Sequence, residues 1–226
     1  EYGRSSLIEI QNSKFKMQND NSKFKILVKQ NEEKVIPIVF VNSEKENEIT
    51  VDVELVGQGA RLQLLGLFLE RNHQNITFNV NIVHKAPDTY SRVNIRAVLY
   101  DHASFDNDGL IRIDRGAKKA DGFYNSKVLL FDDAKGRSVP SLEIDENELK
   151  AGHASSVGRP REEELFYLRS RGLSQEEAEK LIVSGFFAPI LVQLPEKEKI
   201  DIERRLARQL NTSDGGEANR LLPPPR

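Results

Sequence analysis

With 226 residues, 38% of them hydrophobic and 30% charged, the chain has the composition of an ordinary globular protein, and its net charge of −2 lacks the basic excess that nucleic-acid binding needs. It contains no cysteine, which excludes disulfides, cysteine-based zinc sites and a cysteine nucleophile. It has no run of about eighteen apolar residues and no secretory signal pattern, so we expect a cytoplasmic protein with neither nucleic acid nor membrane as its partner.

The N-terminal segment, 1–34, is short and polar. A few residues are repeated within it, since 11–16 reads QNSKFK and 21–25 reads NSKFK. The repeat is too short to be a solenoid period, so it is a low-complexity feature. We expect weak strand character at most in this segment.

The range 35–158 is predicted to form a β core. Polar and apolar residues alternate over 49–55 and again over 76–82, which is typical of strands that bury one face. Helical periodicity is absent, and turn-forming residues such as those of 106–109 separate the apolar segments. The predicted strands are 35–41, 49–56, 62–70, 76–83, 92–100, 109–113, 126–131 and 142–144.

The lengths and spacing of these strands fit either a β-sandwich or a β-solenoid. After residue 101, a short loop with a small residue precedes each strand, at intervals of roughly one to two dozen residues. Such a recurrence is expected when each turn of a solenoid stacks on the last, although periodicity alone leaves the sandwich equally open. A solenoid also has open ends, which a helix or a partner chain must cover. The small residues are Ala103, Ala117, Ala134 and Ala154.

The range 159–210 is predicted to be helical and to cap the β core. Over 161–171, three glutamates at the start and two arginines at the end complement the helix dipole, and Gly172 is the expected stop. In the second helix, Glu177 follows Ser174 by three residues, which is a capping box, and Pro189 is expected to kink or end the helix. A third helix is predicted over 196–210.

Each of the three predicted helices has an apolar stripe along one face. The tail that follows the third helix, 211–226, has no such stripe. The tail contains two consecutive glycines and three consecutive prolines, and we expect it to be disordered. The residues predicted to be buried are Leu165, Phe166 and Leu168 in the first helix, Ala178, Leu181, Ile182 and Phe186 in the second, and Ile200, Ile202, Leu206 and Leu210 in the third.

The stretch 142–173 joins the β and helical regions and is the most specific segment of the chain. It begins with the alternation of a strand and ends with the spacing of a helix. The transition between them contains one histidine, His153, among small residues, followed by Val157, Gly158 and a charged helix start.

Several motifs carry a family resemblance. In chain order they are HKAPDTYSRVNIRAVLYD (84–101), DGLIRIDRGAKKADGFYNSKVLLFDDA (108–134), LEI (142–144), His153 with its small neighbours, LFYLRSRG (165–172) and GFFAPIL (185–191). Together they resemble the C-terminal core of the SufB/SufD family, components of the SUF machinery that assembles iron–sulfur clusters. The resemblance extends from about residue 76 to about residue 210 and is nearer to SufD.

The resemblance implies a right-handed parallel β-helix flanked by helices, in a non-catalytic SufD-like scaffold subunit. It implies that two subunits meet through their β-helix edges, so the partner would be a SufB-like chain or a second copy of this chain. A separate SufC-like ABC ATPase would supply ATP hydrolysis and dock on the C-terminal helices. The candidate ATPase-docking residues are Phe166, Tyr167, Arg169, Arg171 and Phe186.

His153 is the main candidate for chemistry. In SufD-like proteins a histidine of this motif lies near the subunit interface and is implicated in cluster assembly, and an imidazole can ligate iron or relay a proton. A histidine hydrogen-bonded in a tight turn is the structural alternative, and the two interpretations stand about even. Without cysteine, we expect no iron–sulfur cluster to be bound stably by this chain alone, and one to be held only transiently with a partner.

Two departures from the family reduce the possible ligands around His153. Ala151 stands where SufD-like chains often have a cysteine, and Gly152 and Ala154 stand where SufB-like chains have glutamates. SufB-like chains also have a core cysteine near Asn125 or Ser126.

The other polar candidates have strong structural alternatives. His84, Thr89 and Ser91 match a family motif, but a structural role is favoured. His73 and His102 are expected in loops.

A second functional hypothesis is a β-helix enzyme acting on polysaccharide, and a third is a degenerate family member that only binds a partner. The candidate residues for the enzyme are Asp106, Asp108, Arg112 and Asp114, although such charges usually form a solvated face.

Overall fold

Parallel strand pairing dominates the computed structural model, which describes residues 21–41 and 47–211. The strands of these ranges precede the helices. The strands are β1 Asn21–Val28, β2 Glu33–Val41, β3 Asn47–Leu55, β4 Arg61–Glu70, β5 Asn75–His84, β6 Tyr90–Leu99, β7 Ser104–Ile113, β8 Ala120–Leu130, β9 Lys135–Ile144 and β10 Leu149–Gly158, and the helices are α1 Glu162–Ser170, α2 Gln175–Leu191 and α3 Glu196–Asn211.

The strands form two five-stranded sheets, with the order β1-β3-β5-β7-β9 in one and β2-β4-β6-β8-β10 in the other. Every pairing is parallel, and each strand pairs with the second strand along the chain: Asn75 of β5, for example, is opposite Ser104 of β7. Each turn of the chain therefore adds one strand to each sheet. This is a β-solenoid of about five turns with C-terminal helices, as predicted, and it excludes the sandwich.

Alternating side chains fill the space between the two sheets. In β5 every second residue is buried, and the same alternation holds in β3, β6 and β7. Phe68 lies at the centre of the aromatic packing, with ring centroids 5.0 Å from Phe78 and 4.8 Å from Phe105. Gly109 is required for packing nearby, because a Cβ atom there would lie 2.3 Å from Cζ of Tyr124.

The corners between the sheets repeat a left-handed backbone residue. At one corner Gly59 donates its amide to Pro87 O at 3.3 Å, and Asp88 on the next turn donates to Lys118 O at 2.8 Å, so backbone hydrogen bonding continues around the corner. Glycine, asparagine and aspartate adopt this conformation at low cost and fill most of these positions. The corner residues with positive φ are Asn31, Gly59, Asp88, Gly116 and Lys119 at one corner and Asn72, Asp101 and Asp132 at the other.

The helices cover one side of the solenoid, the outer face of the even-numbered sheet. Val183 and Phe187 of α2 pack in one apolar cluster with Leu67 of β4 and Val98 of β6. Ile202 of α3 belongs to the same cluster. The end of the solenoid formed by β9 and β10 therefore has no helix over it among the described residues.

Two strands differ from the sequence-based expectation. β1 lies inside the predicted polar segment 1–34 and pairs in parallel with β3, so the solenoid begins earlier than expected. β10 was not predicted, because its residues are small or polar, yet it pairs with β8 along its whole length. Ala154 accordingly lies within a strand, whereas Ala103 and Ala117 are buried at corners. The first copy of the repeat, 11–16, and the tail from 212 lie outside the described residues.

The helices bury only part of the predicted stripes: Ile202, Leu206 and Leu210 of α3 are buried as predicted, whereas most of α2 turns a different face inward. In α2 the buried residues include Val183 and Phe187, whereas Leu181 is 52% exposed and Phe186 is only partly buried. From Leu181 to Leu191 apolar residues occur on all sides of this helix, so the sequence pattern does not determine its rotation. Phe166 of α1 and Ile200 of α3 are likewise exposed, and α2 continues past Pro189 to Leu191. The capping box of Ser174 and Glu177 is confirmed.

Candidate functional site

His153 lies in the middle of strand β10 and not in a tight turn. It is opposite Tyr124 of β8, and its side chain is exposed. Since paired residues of parallel strands project from the same face of a sheet, His153 projects inward like the buried Tyr124, but on the last described turn. The turn interpretation of His153 was therefore wrong.

The inward-directed residues of β9 and β10 form what we call the end face. They are opposite the buried residues of β7 and β8, and no described turn covers them. Ile144 is 42% exposed and Val157 is 40% exposed, so apolar side chains of core type meet solvent here. The end face consists of Gly136, Ser138, Pro140, Leu142, Ile144, Leu149, Ala151, His153, Ser155 and Val157.

A polar network joins the end face to the turn beneath it. The Asn107 amide donates to Phe78 O at 2.7 Å, and its Oδ1 accepts from Ser138 Oγ at 3.1 Å. The Tyr124 hydroxyl also contacts the Asn107 amide, and burial raises the pKa of Tyr124 far above its usual value. Ser155 Oγ donates to Ser138 O at 3.1 Å and links β10 to β9. These bonds fix the side chains around His153 from below.

The positions at which the resemblance implied departures from the family lie on β8 and β10. Ala151 belongs to the end face, whereas Gly152 points outward and makes room for Phe123, whose Cε2 would lie 2.9 Å from a Cβ atom there. Ser126 is buried, and its hydroxyl has no hydrogen-bond partner among the described residues. Asn125 is on the outer face, within 3.5 Å of Asn94 Oδ1.

His84 is a buried residue with both ring nitrogens occupied. Nδ1 is 2.8 Å from Thr89 Oγ1, and Nε2 is 2.8 Å from Ser91 Oγ. Because Thr89 donates its only hydroxyl proton to Ala86 O, Nδ1 must donate to Thr89 and Nε2 must accept from Ser91. Burial lowers the pKa of His84 to about 4, so the ring is neutral. This arrangement supports the structural role favoured by the sequence.

The charged candidates for a polysaccharide enzyme lie on the outer face of the odd-numbered sheet. One guanidinium nitrogen of Arg137 is 2.6 Å from Asp106 and 3.0 Å from Asp108. Arg112 pairs with Asp114 at 2.7 Å, and this hydrogen bond is the main cause of a raised pKa of Arg112. The carboxylates are thus committed to ion pairs on a solvated face.

The candidate docking residues divide between a groove and the open surface. A groove of about 560 Å³ lies between α1, α2 and the end of β8, and it is lined by Tyr167, Leu181 and Phe186 among others. The guanidinium of Arg96 is 5.2 Å from the centroid of the Phe186 ring. Phe166 is 74% exposed outside the groove, and Arg169 and Arg171 are also exposed, with Arg171 stacked over Tyr167.

Sequence reasoning missed the groove and the polar network. The groove depends on the rotation of α2, and the network depends on the register between turns. The alternation of polar and apolar residues in the sequence reveals neither of them.

Within 21–41 and 47–211, no group of three or more histidine, aspartate or glutamate side chains is placed to hold a metal ion. None of the described helices is both long and apolar enough to span a bilayer.

Comparisons with known proteins agree with this geometry. Residues 3–186 match the family model described as SUF system FeS cluster assembly, SufBD core domain. The chain is 37% identical to the iron–sulfur cluster assembly protein SufD of Bacillus subtilis over 142 residues, which cover 62% of this chain and 32% of that protein. It is 36% identical over 157 residues to a SufBD family protein of Mycobacterium bovis, covering 65% of this chain and 39% of the relative. The chain thus spans about a third of the length of these relatives.

The buried His84 makes folding stability depend on pH. Its pKa is about 4 when folded and about 6.5 when unfolded, so the unfolded chain binds the extra proton first as the pH falls. The stabilisation is therefore complete above pH 6.5 and is lost towards pH 4. Between pH 7 and 4.5 we expect wild type to lose about 2–3 kcal/mol of unfolding free energy more than His84→Gln, measured by urea unfolding. If the stability of His84→Gln changed with pH as steeply as that of wild type, this account would be contradicted.

Proposed function

The chain belongs to the SufBD core family of the SUF iron–sulfur cluster assembly system, nearer to SufD, and on that basis we propose that it is a non-catalytic SufD-like scaffold subunit. It pairs through the end face with a SufB-like chain or with a second copy of itself. Its helical region binds a SufC-like ABC ATPase. The assembly works in the cytoplasm, and the cluster is its cargo.

The uncovered end face is the observation that carries the proposal. It combines exposed Ile144 and Val157 with two edge strands, β9 and β10, each of which has a strand partner within its sheet on one side only. Unpaired edges and exposed core-type side chains favour association with another chain. A partner solenoid that continues the two sheets would cover both features together.

His153 is the residue of the end face that can contact the cluster. Its ring is exposed, and it stands over the network of Tyr124, Asn107 and Ser138, which holds the neighbouring strands in place. Neutral imidazole is a suitable ligand for iron. A single histidine without a cysteine holds a cluster only when the partner supplies the remaining ligands, so binding is transient and shared.

The groove between α1 and α2 supports the proposed ATPase contact. Tyr167 is 56% exposed at its rim, and Leu181 and Phe186 line it, so an apolar side chain of a partner could be buried there. Arg169 and Arg171 would surround that contact with positive charge. The ion pairs of Asp106 and Asp108 with Arg137 give no support to the alternative of polysaccharide hydrolysis, which needs one protonated carboxyl group.

Pairing through the end face is tested by placing a charge on it. In co-expression with the SufB-like chain and the ATPase, wild type is expected to give a complex of all three by size exclusion with light scattering. Val157→Glu should weaken the pairing about tenfold or more, because the new carboxylate would be buried without a partner. Ser156→Glu, one residue away on the outer face, is the matched control and should pair normally. Equal pairing by both variants would reject the end face as the interface.

The ATPase contact is tested separately. Tyr167→Asp is expected to release the ATPase from the complex while the SufB-like chain stays bound, because Tyr167 lines the groove and lies outside the end face. Val192→Asp is the control, since Val192 is 71% exposed on the same helical region and does not line the groove. The masses of the complexes measure the result. Retention of the ATPase by Tyr167→Asp would contradict the docking proposal.

The role of His153 is tested in the assembled complex. His153→Ala should leave the complex mass unchanged but lower its iron and sulfide content after reconstitution, because one ligand of the shared site is lost. Ser156→Ala, on the opposite face of β10, should load like wild type. A His153→Ala complex with full cluster content would show that the imidazole does not contact the cargo.

A further inference from the structure

Two histidines are stacked on neighbouring turns at one corner of the solenoid. His73 follows β4 and His102 follows β6, and the ring centroids are 5.0 Å apart with an interplanar angle of 36°. The His102 amide donates to Asn72 O at 2.8 Å, which fixes the two turns against each other. Both side chains are exposed, so solvent and ions reach both rings.

We propose that His73 and His102 form a two-imidazole site for a divalent first-row transition metal ion such as zinc or nickel. Two imidazoles bound to one zinc at about 2.0–2.1 Å, with near-tetrahedral angles, have ring centres roughly 5 Å apart. The observed separation meets this requirement. Neutral imidazole is also the ligand that these ions prefer among the side chains available here.

The backbone at this corner is rigid, which favours chelation. Asp101 Oδ2 accepts from the Asn72 amide at 2.8 Å, and Asp132 Oδ2 accepts from the Asp101 amide at 3.0 Å. Each turn is thereby tied to the next, immediately beside the two histidines. A pair of ligands held by the scaffold loses less conformational entropy on binding than two ligands on a flexible loop.

Carboxylates that attract a cation also lie at this corner, together with the guanidinium of Arg159, which donates to Asp132 O. Asp133 occupies, one turn further along the solenoid, the position that His102 occupies on its own turn. The Asp133 amide donates to Asp101 O at 2.9 Å, just as the His102 amide donates to Asn72 O. With Asp101 and Asp132, three carboxylates therefore lie at this corner. The nearby Arg71 guanidinium is 3.9 Å from the centroid of the Tyr100 ring, where it stacks.

Water completes the coordination of the ion. The described residues offer no group of three protein ligands, so the affinity is lower than that of a four-ligand structural zinc site. The site is separate from the end face and does not depend on the proposed function. It also means that a metal-binding assay of the isolated chain would report this pair in addition to any ion at His153.

The test is calorimetric titration of the whole chain with NiCl2. Wild type is expected to bind one nickel ion, and His73→Ala and His102→Ala should each weaken binding about tenfold or more. Ser156→Ala, an exposed position on the outer face of β10, is the control and should bind like wild type. In proton NMR, nickel should broaden the imidazole signals of His73 and His102 and leave those of the buried His84 sharp.

Three results would overturn the site. They are wild-type affinity in both corner variants, loss of binding in Ser156→Ala, and no detectable binding by wild type. Because both corner side chains are exposed, the variants should fold, and circular dichroism checks this directly. A variant that fails to fold is replaced by His102→Gln, which keeps the size and polarity of the side chain, and the same comparison then decides the proposal.

Discussion

Parallel hydrogen bonding between successive turns is the constraint on which the rest of the structure depends. It places each residue opposite a residue of the next turn, so that Asn107 and Ser138, or Tyr124 and His153, stand one above the other. Residues that point inward stack on one another from turn to turn and form the core. Residues that point outward stack in the same way and form the surfaces. The corners maintain this register because left-handed residues such as Gly59 and Asp88 recur on successive turns.

The candidate site arises where this stacking stops at β9 and β10. The inward-directed residues of these two strands stack on core residues of the turn below, but no described turn stacks on them. Ile144, Val157 and His153 are therefore exposed together. The helices pack on the side of the even-numbered sheet and leave this end open. The same fold thus presents two separate surfaces, one made of strand edges and one made of the α1–α2 groove.

Much of the fold was accessible from the sequence, because alternation over β3 and β5 and the capping box of α2 are local signals. β10 was not, because small and polar residues such as those around His153 gain strand structure only from pairing with β8. The rotation of α2 was equally hidden, since the C-terminal part of this helix is apolar on all sides and has no preferred face. The resemblance identified the family and His153, but its inward direction required the register.

The one-sided pairing of β9 and β10 has a consequence for the dynamics of the chain. In a solenoid, each turn is stabilised mainly by its two neighbours, and the last described turn has only one. Its amides should therefore exchange with solvent faster than those of β5 and β6, which lie between turns on both sides. A docked subunit would act as the missing neighbour, so assembly would complete the cooperative unit and slow the opening of the strand that holds His153.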